Sequence, residues 1–226
     1  MCWSKKSSLT TFIIGSLACA YLYHRNIHSD RLYALFFGFV IFMQFLEFLI
    51  WSDQPNDSLD KNCKTAPYKG CLNNVASQVA SIQNLLQPLV AGLLLLYFMK
   101  KKDNVFSSCT LKLILVVYAA AVLFWIVSKK VYSKKLCTTP LGKNHLQWPW
   151  IKNEVAGNSI WIAYFVALAL VLIAMNKIPS GKALSIYLLL TMFISMSVYP
   201  FKKAMGSWWC VAAVGGPLLK IAFPHI

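Results

Sequence analysis

The sequence predicts an all-α, polytopic membrane protein, a bundle of seven transmembrane helices. The chain of 226 residues is 58% hydrophobic and only 13% charged, whereas soluble domains carry about a quarter charged residues. The apolar residues also fall in repeated runs of roughly bilayer-spanning length. Such spans must be helical, because lipid offers the backbone no hydrogen-bond partners.

Seven apolar runs follow one another, and we predict each as a helix of one integral membrane domain that covers residues 1–226. The predicted helices are 9–23, 32–51, 75–99, 111–128, 159–175, 183–199 and 207–223. The first run follows Lys5 and Lys6 and resembles a signal peptide, but we expect it to be retained as the first helix. The connecting loops leave no room for a separate soluble domain.

Charge distribution indicates which partner the chain contacts. The sequence has 22 Lys and Arg against 7 Asp and Glu, a net charge of +15. The basic residues lie in loops or at helix ends, where they favour contact with a lipid bilayer carrying anionic headgroups rather than with nucleic acid. Lys220 near the end of the last helix is interpreted in the same way, with its ammonium reaching the headgroups. A retinal Schiff base there is not favoured, because the third helix offers no acidic counter-ion.

An odd number of spans places the two termini on opposite sides. Side A holds the N-terminus and loops 52–74, 129–158 and 200–206. Side B holds loops 24–31, 100–110 and 176–182, and the C-terminus. The distribution of basic residues between the two sides does not decide the orientation.

Cysteines in the side A loops favour one orientation. Cys63 and Cys71 bracket a proline and a glycine, so a small disulfide ring can close, with Cys137 as the alternative partner. Asn56 begins an N-x-S glycosylation acceptor. These features predict that side A is lumenal or extracellular, in a host endomembrane, the plasma membrane or a virion membrane.

The motifs of common enzymes are missing from the sequence. It contains no H-E-x-x-H, no phosphate-binding glycine loop and no G-x-S-x-G. His24 and His28 lie four residues apart, but no carboxylate or thiol accompanies them in a metal-binding pattern. We therefore predict no catalytic residues, no metal and no cofactor, and an intramembrane lipid enzyme is the weakest of the function classes.

A carboxylate within the second helix identifies the candidate site. Glu47 lies about 6 Å below the side A end of this helix at 1.5 Å per residue, and Gln44 and Trp51 share its face. The third helix begins on the same side with a polar stretch, and the seventh helix begins there with two tryptophans. Polar groups in a membrane face one another, because lipid cannot satisfy them. The predicted pocket residues are Glu47, Gln44, Trp51, Ser81, Gln83, Asn84, Gln87, Trp208 and Trp209. We expect Glu47 to bond to Gln83, Asn84 or Gln87.

Several short segments together resemble a known family. MQFLEFLIW, a cysteine-bearing loop, NNVAS, LQPLV and GSWWC are similar to segments of uncharacterised multi-pass membrane proteins of giant DNA viruses and some protists. The similarity rests on Gln44, Glu47, Trp51, Asn74, Ala76, Ser77, Gln87, Pro88, Gly206, Ser207, Trp209 and Cys210. It covers most of the membrane region. The resemblance implies a shared seven-helix fold and a viral or protist origin, and no established activity.

Two classes of function follow from the Glu47 pocket. One is a small transporter, channel or receptor-like protein for a cation, a proton or a small ligand. The alternative is a structural or interaction protein of a viral or organelle membrane, in which the polar groups only fix helix packing. In the seventh helix, Ala212 and Gly216 form a small-xxx-small pair that permits close helix packing or self-association into a homo-oligomer.

Overall fold

The computed structural model describes residues 4–54, 72–98, 105–129, 138–140, 146–148, 156–175, 181–198 and 205–225. Within these residues the chain forms seven α-helices and one pair of very short strands. The helices are α1 (Lys5–Arg25), α2 (Asp30–Ser52), α3 (Leu72–Phe98), α4 (Val105–Lys129), α5 (Ala156–Met175), α6 (Gly181–Val198) and α7 (Met205–Ala222). Strand β1 (Thr139–Pro140) pairs antiparallel with β2 (Leu146–Gln147).

The seven predicted helices are confirmed as helices in the described residues, with ends that differ by a few residues. Helix α1 begins earlier than its apolar run, because the Ser4 side chain accepts a hydrogen bond of 3.1 Å from the Ser7 N–H and caps the first turn. It ends where Asn26 adopts a left-handed conformation with φ 52°. The Asn26 N–H then bonds to the Leu22 carbonyl at 3.0 Å, which satisfies a carbonyl of the last turn.

Three helical segments of the described residues are long and apolar enough to cross a membrane. They are Asp30–Ser52, Leu72–Phe98 and Ser108–Val127, and they make the chain a membrane protein. Their outer faces carry large apolar side chains, among them Tyr97, which is 79% exposed, and Phe124, which is 76% exposed. Contact of such faces with lipid carries no penalty, whereas their contact with water is unfavourable. Whether all seven helices cross the bilayer stays a prediction.

The helices pack in the order of the chain, and α7 closes the bundle against both α1 and α2. Helix α3 also packs on α5 as well as on its two sequence neighbours. Helix α2 therefore lies between α1, α3 and α7, and its side chains Phe36, Phe37 and Ile41 are almost completely buried. This arrangement places the polar residues of α2 inside the bundle.

A glycine sets the distance between α2 and α7. Gly216 has no side chain, and the Phe37 ring occupies the space that a β-carbon would need. Gly216 is buried, so it serves the packing of helices within one chain. Self-association through the Ala212 and Gly216 pair stays a prediction.

Candidate functional site

The structure buries polar side chains along the contact between α2 and α3. Glu47 is 0% exposed and Gln44 is 2% exposed on α2, while Trp51 is half-buried. Five of the predicted site residues are buried polar residues of these two helices, and we call them the polar seam. They are Gln44, Glu47, Ser81, Gln83 and Gln87. Asn84 lies beside them and is half-buried.

Two glutamines of the polar seam join α3 to other helices. The Gln83 side-chain N–H donates to the Phe39 carbonyl of α2. The Tyr164 hydroxyl of α5 donates to Gln87 Oε1 at 2.6 Å, and Gln87 Nε2 donates to Asn84 Oδ1 at 3.1 Å. These bonds hold α2, α3 and α5 together in the apolar interior.

The Gln83 contact lies deeper in the bundle than Glu47. Phe39 precedes Glu47 by about two turns of α2, or about 12 Å along the helix. Residues of α3 closer to its start, near Ser77, lie at the depth of Glu47, because the two helices run in opposite directions. The expected hydrogen bond from Glu47 to Gln83, Asn84 or Gln87 stays a prediction.

Three polar atoms of this region are buried and have no hydrogen-bond partner within the described residues. They are Nε2 of Gln44, Nε1 of Trp51 and Oε1 of Gln83. A buried donor or acceptor that forms no hydrogen bond costs about 1–3 kcal/mol. Native structures retain such atoms where water, an ion or a ligand satisfies them. The polar seam thus combines a buried carboxyl group with capacity for further polar contacts.

A second set of polar groups covers the side A end of the seam. Thr138 is fully buried, and its N–H bonds to Asn73 Oδ1 at 3.0 Å and to Ser77 Oγ at 3.1 Å. Asn73 Nδ2 and Gln54 Nε2 both donate to the Thr138 carbonyl at 3.0 Å. A small apolar cluster supports this contact, consisting of Met43, Leu46, Ile50, Ala76, Ala80, Leu146 and Trp148. Thr138, Leu146 and Trp148 therefore lie over the beginning of α3.

Sequence reasoning missed this contact. Thr138 lies 61 to 65 residues from its partners on α3, in a loop with no apolar periodicity. The one available signal was the Asn73 and Ser77 pair at a spacing of one helical turn. Their side chains bond to each other at 2.9 Å.

A charged cluster, which we call the Arg25 cluster, joins three helices at the opposite end of the bundle. Arg25 Nε and Nη2 donate to the two carboxylate oxygens of Asp30 at 2.7 and 3.0 Å. Arg25 also donates to the carbonyls of Lys220 at 2.9 Å and Ile221 at 3.2 Å. The Ile27 N–H adds a third bond to Asp30, at 3.0 Å. The hydrogen bond to Asp30 raises the pKa of Arg25 above its ordinary value, so this pair stays charged.

The prediction that the Lys220 ammonium reaches the lipid headgroups is wrong. Lys220 is 2% exposed. Its ammonium donates to the Pro224 carbonyl at 2.7 Å and lies 5.3 Å from the centre of the Tyr33 ring. The physical reason is that α7 packs on α1 and α2, which encloses the side chain, and the chain just after α7 supplies a nearby carbonyl.

A cavity of about 130 Å³ lies beside the Arg25 cluster, between α2, α6 and α7. Its walls are mostly carbon, from side chains that include Leu184 and Phe223. The polar side chains in the wall are Lys220, Tyr33 and Tyr187. The cavity is therefore a small apolar space with one ammonium in its wall.

Other predicted residues are placed as follows. Cys63, Cys71, Cys137 and Asn56 lie outside the described residues. Trp208 and Trp209 lie in the first turns of α7. Among the described cysteines, Cys19 and Cys109 are free thiols. The described residues contain no group of three His, Cys, Asp or Glu side chains that could hold a metal ion.

The fold and the buried polar groups define the class of this protein, a helical membrane protein with a polar interior. Comparison with protein families, with curated proteins and with solved structures found no match. The resemblance to the membrane proteins of giant viruses and protists stays a prediction.

Proposed function

We propose that this chain is a seven-span, multi-pass membrane transporter or channel that conducts a proton or a small cation past Glu47. The observation that carries the proposal is a fully buried carboxyl group next to buried polar atoms that have no hydrogen-bond partner within the described residues. Gln44 Nε2 is such an atom, and Gln44 lies one turn from Glu47 on the same face of α2.

The chemistry of a buried carboxyl group supports a cation or a proton as the substrate. A carboxylate in a membrane interior is costly unless a cation or a proton neutralises it. A proton or a small cation that enters the polar seam would neutralise Glu47 there.

The alternative proposal is a structural membrane protein whose polar seam only holds helices together. The bonds from Gln83 to α2 and from Tyr164 to Gln87 favour it, because both connect different helices. Such bonds contribute on average about 0.6 kcal/mol each in a membrane protein. This alternative does not account for the buried atoms of Gln44 and Trp51 that have no partner within the described residues.

The experiment is a flux measurement on proteoliposomes that contain the purified full chain and a trapped pH-sensitive or Na⁺-sensitive dye. We expect the protein to accelerate proton or cation entry relative to empty vesicles, and Glu47→Gln to abolish the acceleration. The amide keeps hydrogen bonding but cannot ionise. Asp53→Asn is the matched control. Asp53 lies at the same end, and its replacement can still accept the hydrogen bond from the Asn73 N–H.

Two results would contradict the transport proposal. One is wild-type protein that conducts no more than empty vesicles for protons, Na⁺ and K⁺. The other is full flux in Glu47→Gln. If the vesicles stay tight and Glu47→Gln unfolds like the wild-type protein, the structural alternative accounts for the seam.

A further inference from the structure

Two exposed histidines meet at the side B end of the bundle, away from Glu47. His28 lies in the turn between α1 and α2, His225 follows α7, and the centres of their rings are 5.8 Å apart. We propose that these two imidazoles bind a divalent transition-metal ion of the Zn²⁺ and Ni²⁺ class between them. This proposal does not depend on transport through the polar seam.

The spacing of the two rings suits a shared ion. Zinc binds an imidazole nitrogen at about 2.0–2.1 Å. Two imidazoles on one ion therefore have ring centres roughly 5–6 Å apart when the angle at the metal is tetrahedral or somewhat wider. The distance between His28 and His225 falls in this range, and their rings are inclined at 59° rather than stacked face to face. Rotation about the side-chain bonds can then turn one nitrogen of each ring toward a common ion.

Hydrogen bonds close the turn that carries His28. The Ile27 N–H donates to the Asp30 carboxylate, and the Asp30 N–H donates to the Ile27 carbonyl, both at 3.0 Å. His28 lies between them with φ 51°, a left-handed conformation in which histidine is more frequent than most residues other than glycine. The two bonds hold this conformation and keep the imidazole of His28 beside His225.

Contacts of α7 hold His225 next to this turn. Pro224, the preceding residue, accepts a hydrogen bond of 2.7 Å from the Lys220 ammonium. Arg25, at the end of α1, donates to the Lys220 carbonyl at 2.9 Å. The fold itself therefore places the two rings side by side, which lowers the entropic cost of binding an ion between them.

The nature of the ligands selects the class of ion. Imidazole nitrogen suits Zn²⁺, Ni²⁺ and Cu²⁺, whereas Mg²⁺ and Ca²⁺ prefer oxygen. The described residues contain no group of three His, Cys, Asp or Glu side chains that could hold a metal ion, so water fills the remaining coordination positions. The nearby cations Arg25 and Lys220 disfavour a metal ion, and Asp30 offsets only part of their charge. With two protein ligands, we expect a dissociation constant on the order of 10 µM.

The experiment is isothermal titration calorimetry of the full chain with Ni²⁺, in an uncharged detergent and without a histidine tag. We expect saturable Ni²⁺ binding and no binding of Mg²⁺. His28→Asn and His225→Asn should each weaken Ni²⁺ binding about 100-fold, because a single imidazole remains. Asparagine also tolerates the left-handed conformation at position 28, and both histidines are exposed, so both variants should fold.

His24→Gln is the matched control. His24 is also exposed and lies four residues before His28, a spacing that brings two side chains together on a continuous helix. However, α1 ends at Arg25, and the ring of His24 packs against Tyr23, with the ring centres 6.2 Å apart. We therefore expect His24→Gln to leave Ni²⁺ binding unchanged.

Chemical modification tests the pair without any substitution. Diethyl pyrocarbonate modifies exposed imidazoles, and a bound metal ion blocks the reacting nitrogen. Ni²⁺ at about ten times its dissociation constant should slow the modification of His28 and His225 about tenfold, as read by mass spectrometry, and leave His24 unprotected.

Three results would overturn the proposal. The first is a wild-type chain without saturable Ni²⁺ binding. The second is unchanged binding in His225→Asn, together with no protection of His225 from modification. The third is a loss of binding in His24→Gln as large as that in His28→Asn, which would assign the ion to the two histidines near the end of α1.

Discussion

Replacing Arg25 tests the role of the Arg25 cluster in holding the bundle together. Arg25→Met keeps the apolar stem but removes the guanidinium, which leaves Asp30, itself 0% exposed, with the Ile27 N–H as its remaining described donor. Breaking a buried ion pair on one side costs about 3–5 kcal/mol. Because this pair lies at helix ends rather than at the centre of the bundle, we expect Arg25→Met to lower the free energy of unfolding by about 3 kcal/mol.

The double variant separates the ion pair from the other contacts of Arg25. Arg25→Met with Asp30→Asn removes both charges and keeps a side-chain oxygen for the Ile27 N–H. What remains is the loss of two hydrogen bonds to α7 carbonyls, about 1 kcal/mol each. We expect the double variant to cost about 2 kcal/mol and therefore less than Arg25→Met alone. The free energy of unfolding is measured in mild detergent by denaturant titration, with tryptophan fluorescence as the signal.

Arg31→Met is the matched control for this cycle. Arg31 is an exposed arginine on the first turn of α2, with its guanidinium 5.3 Å from the Tyr23 ring, so its loss should cost less than about 1 kcal/mol. The reasoning is refuted if Arg25→Met destabilises no more than Arg31→Met. A double variant in which the two single losses simply add would refute it as well.

Three further predictions concern packing, hydrogen bonding and orientation. Gly216→Ala should lower the free energy of unfolding by about 1–3 kcal/mol, because the added methyl overlaps the Phe37 ring. An unchanged denaturation midpoint would contradict the close approach of α2 and α7. Tyr164→Phe should lower the free energy of unfolding by about 0.6 kcal/mol in the same assay, because Gln87 Oε1 loses the hydrogen bond from the hydroxyl. An unchanged stability would contradict this role of Tyr164. Cys109 is exposed and should react in intact cells only with a membrane-permeant maleimide, since side B is predicted to be cytosolic; labelling by an impermeant maleimide would reverse the orientation.

The helices could be predicted from the sequence, because an apolar run of bilayer length can satisfy its backbone hydrogen bonds in few structures other than a helix. The burial of Glu47 and Gln44 followed from the same physics, since a polar face on an apolar helix turns to the protein. The hydrogen-bond partners of the buried polar groups on α2 and α3 could not be predicted in this way. Gln83 bonds to the backbone carbonyl of Phe39, and a backbone acceptor leaves no trace in the sequence pattern.

The Arg25 cluster was missed for two physical reasons. Arg25 and Asp30 meet across a tight connection in which Asn26 and His28 have positive φ values, a geometry that apolar periodicity does not show. The contact between Arg25 and α7 joins residues 195 positions apart. Lys220 was interpreted from its place near a helix end, where exposure to headgroups is common, but packing of α7 on two helices decides its environment.

The order in which the chain is made gives the Arg25 cluster a further consequence. Arg25 and Asp30 leave the ribosome almost together, so their ion pair can form as soon as the first hairpin is inserted. The carbonyl that Arg25 also contacts is 195 residues later in the chain, which at 5–20 residues per second means a wait of about 10–40 s. During that interval two of the guanidinium N–H groups have no helix carbonyl to bind. Docking of α7 therefore completes the Arg25 cluster, and a chain that stops before α7 keeps an unfinished binding surface for this helix, open to membrane chaperones and proteases.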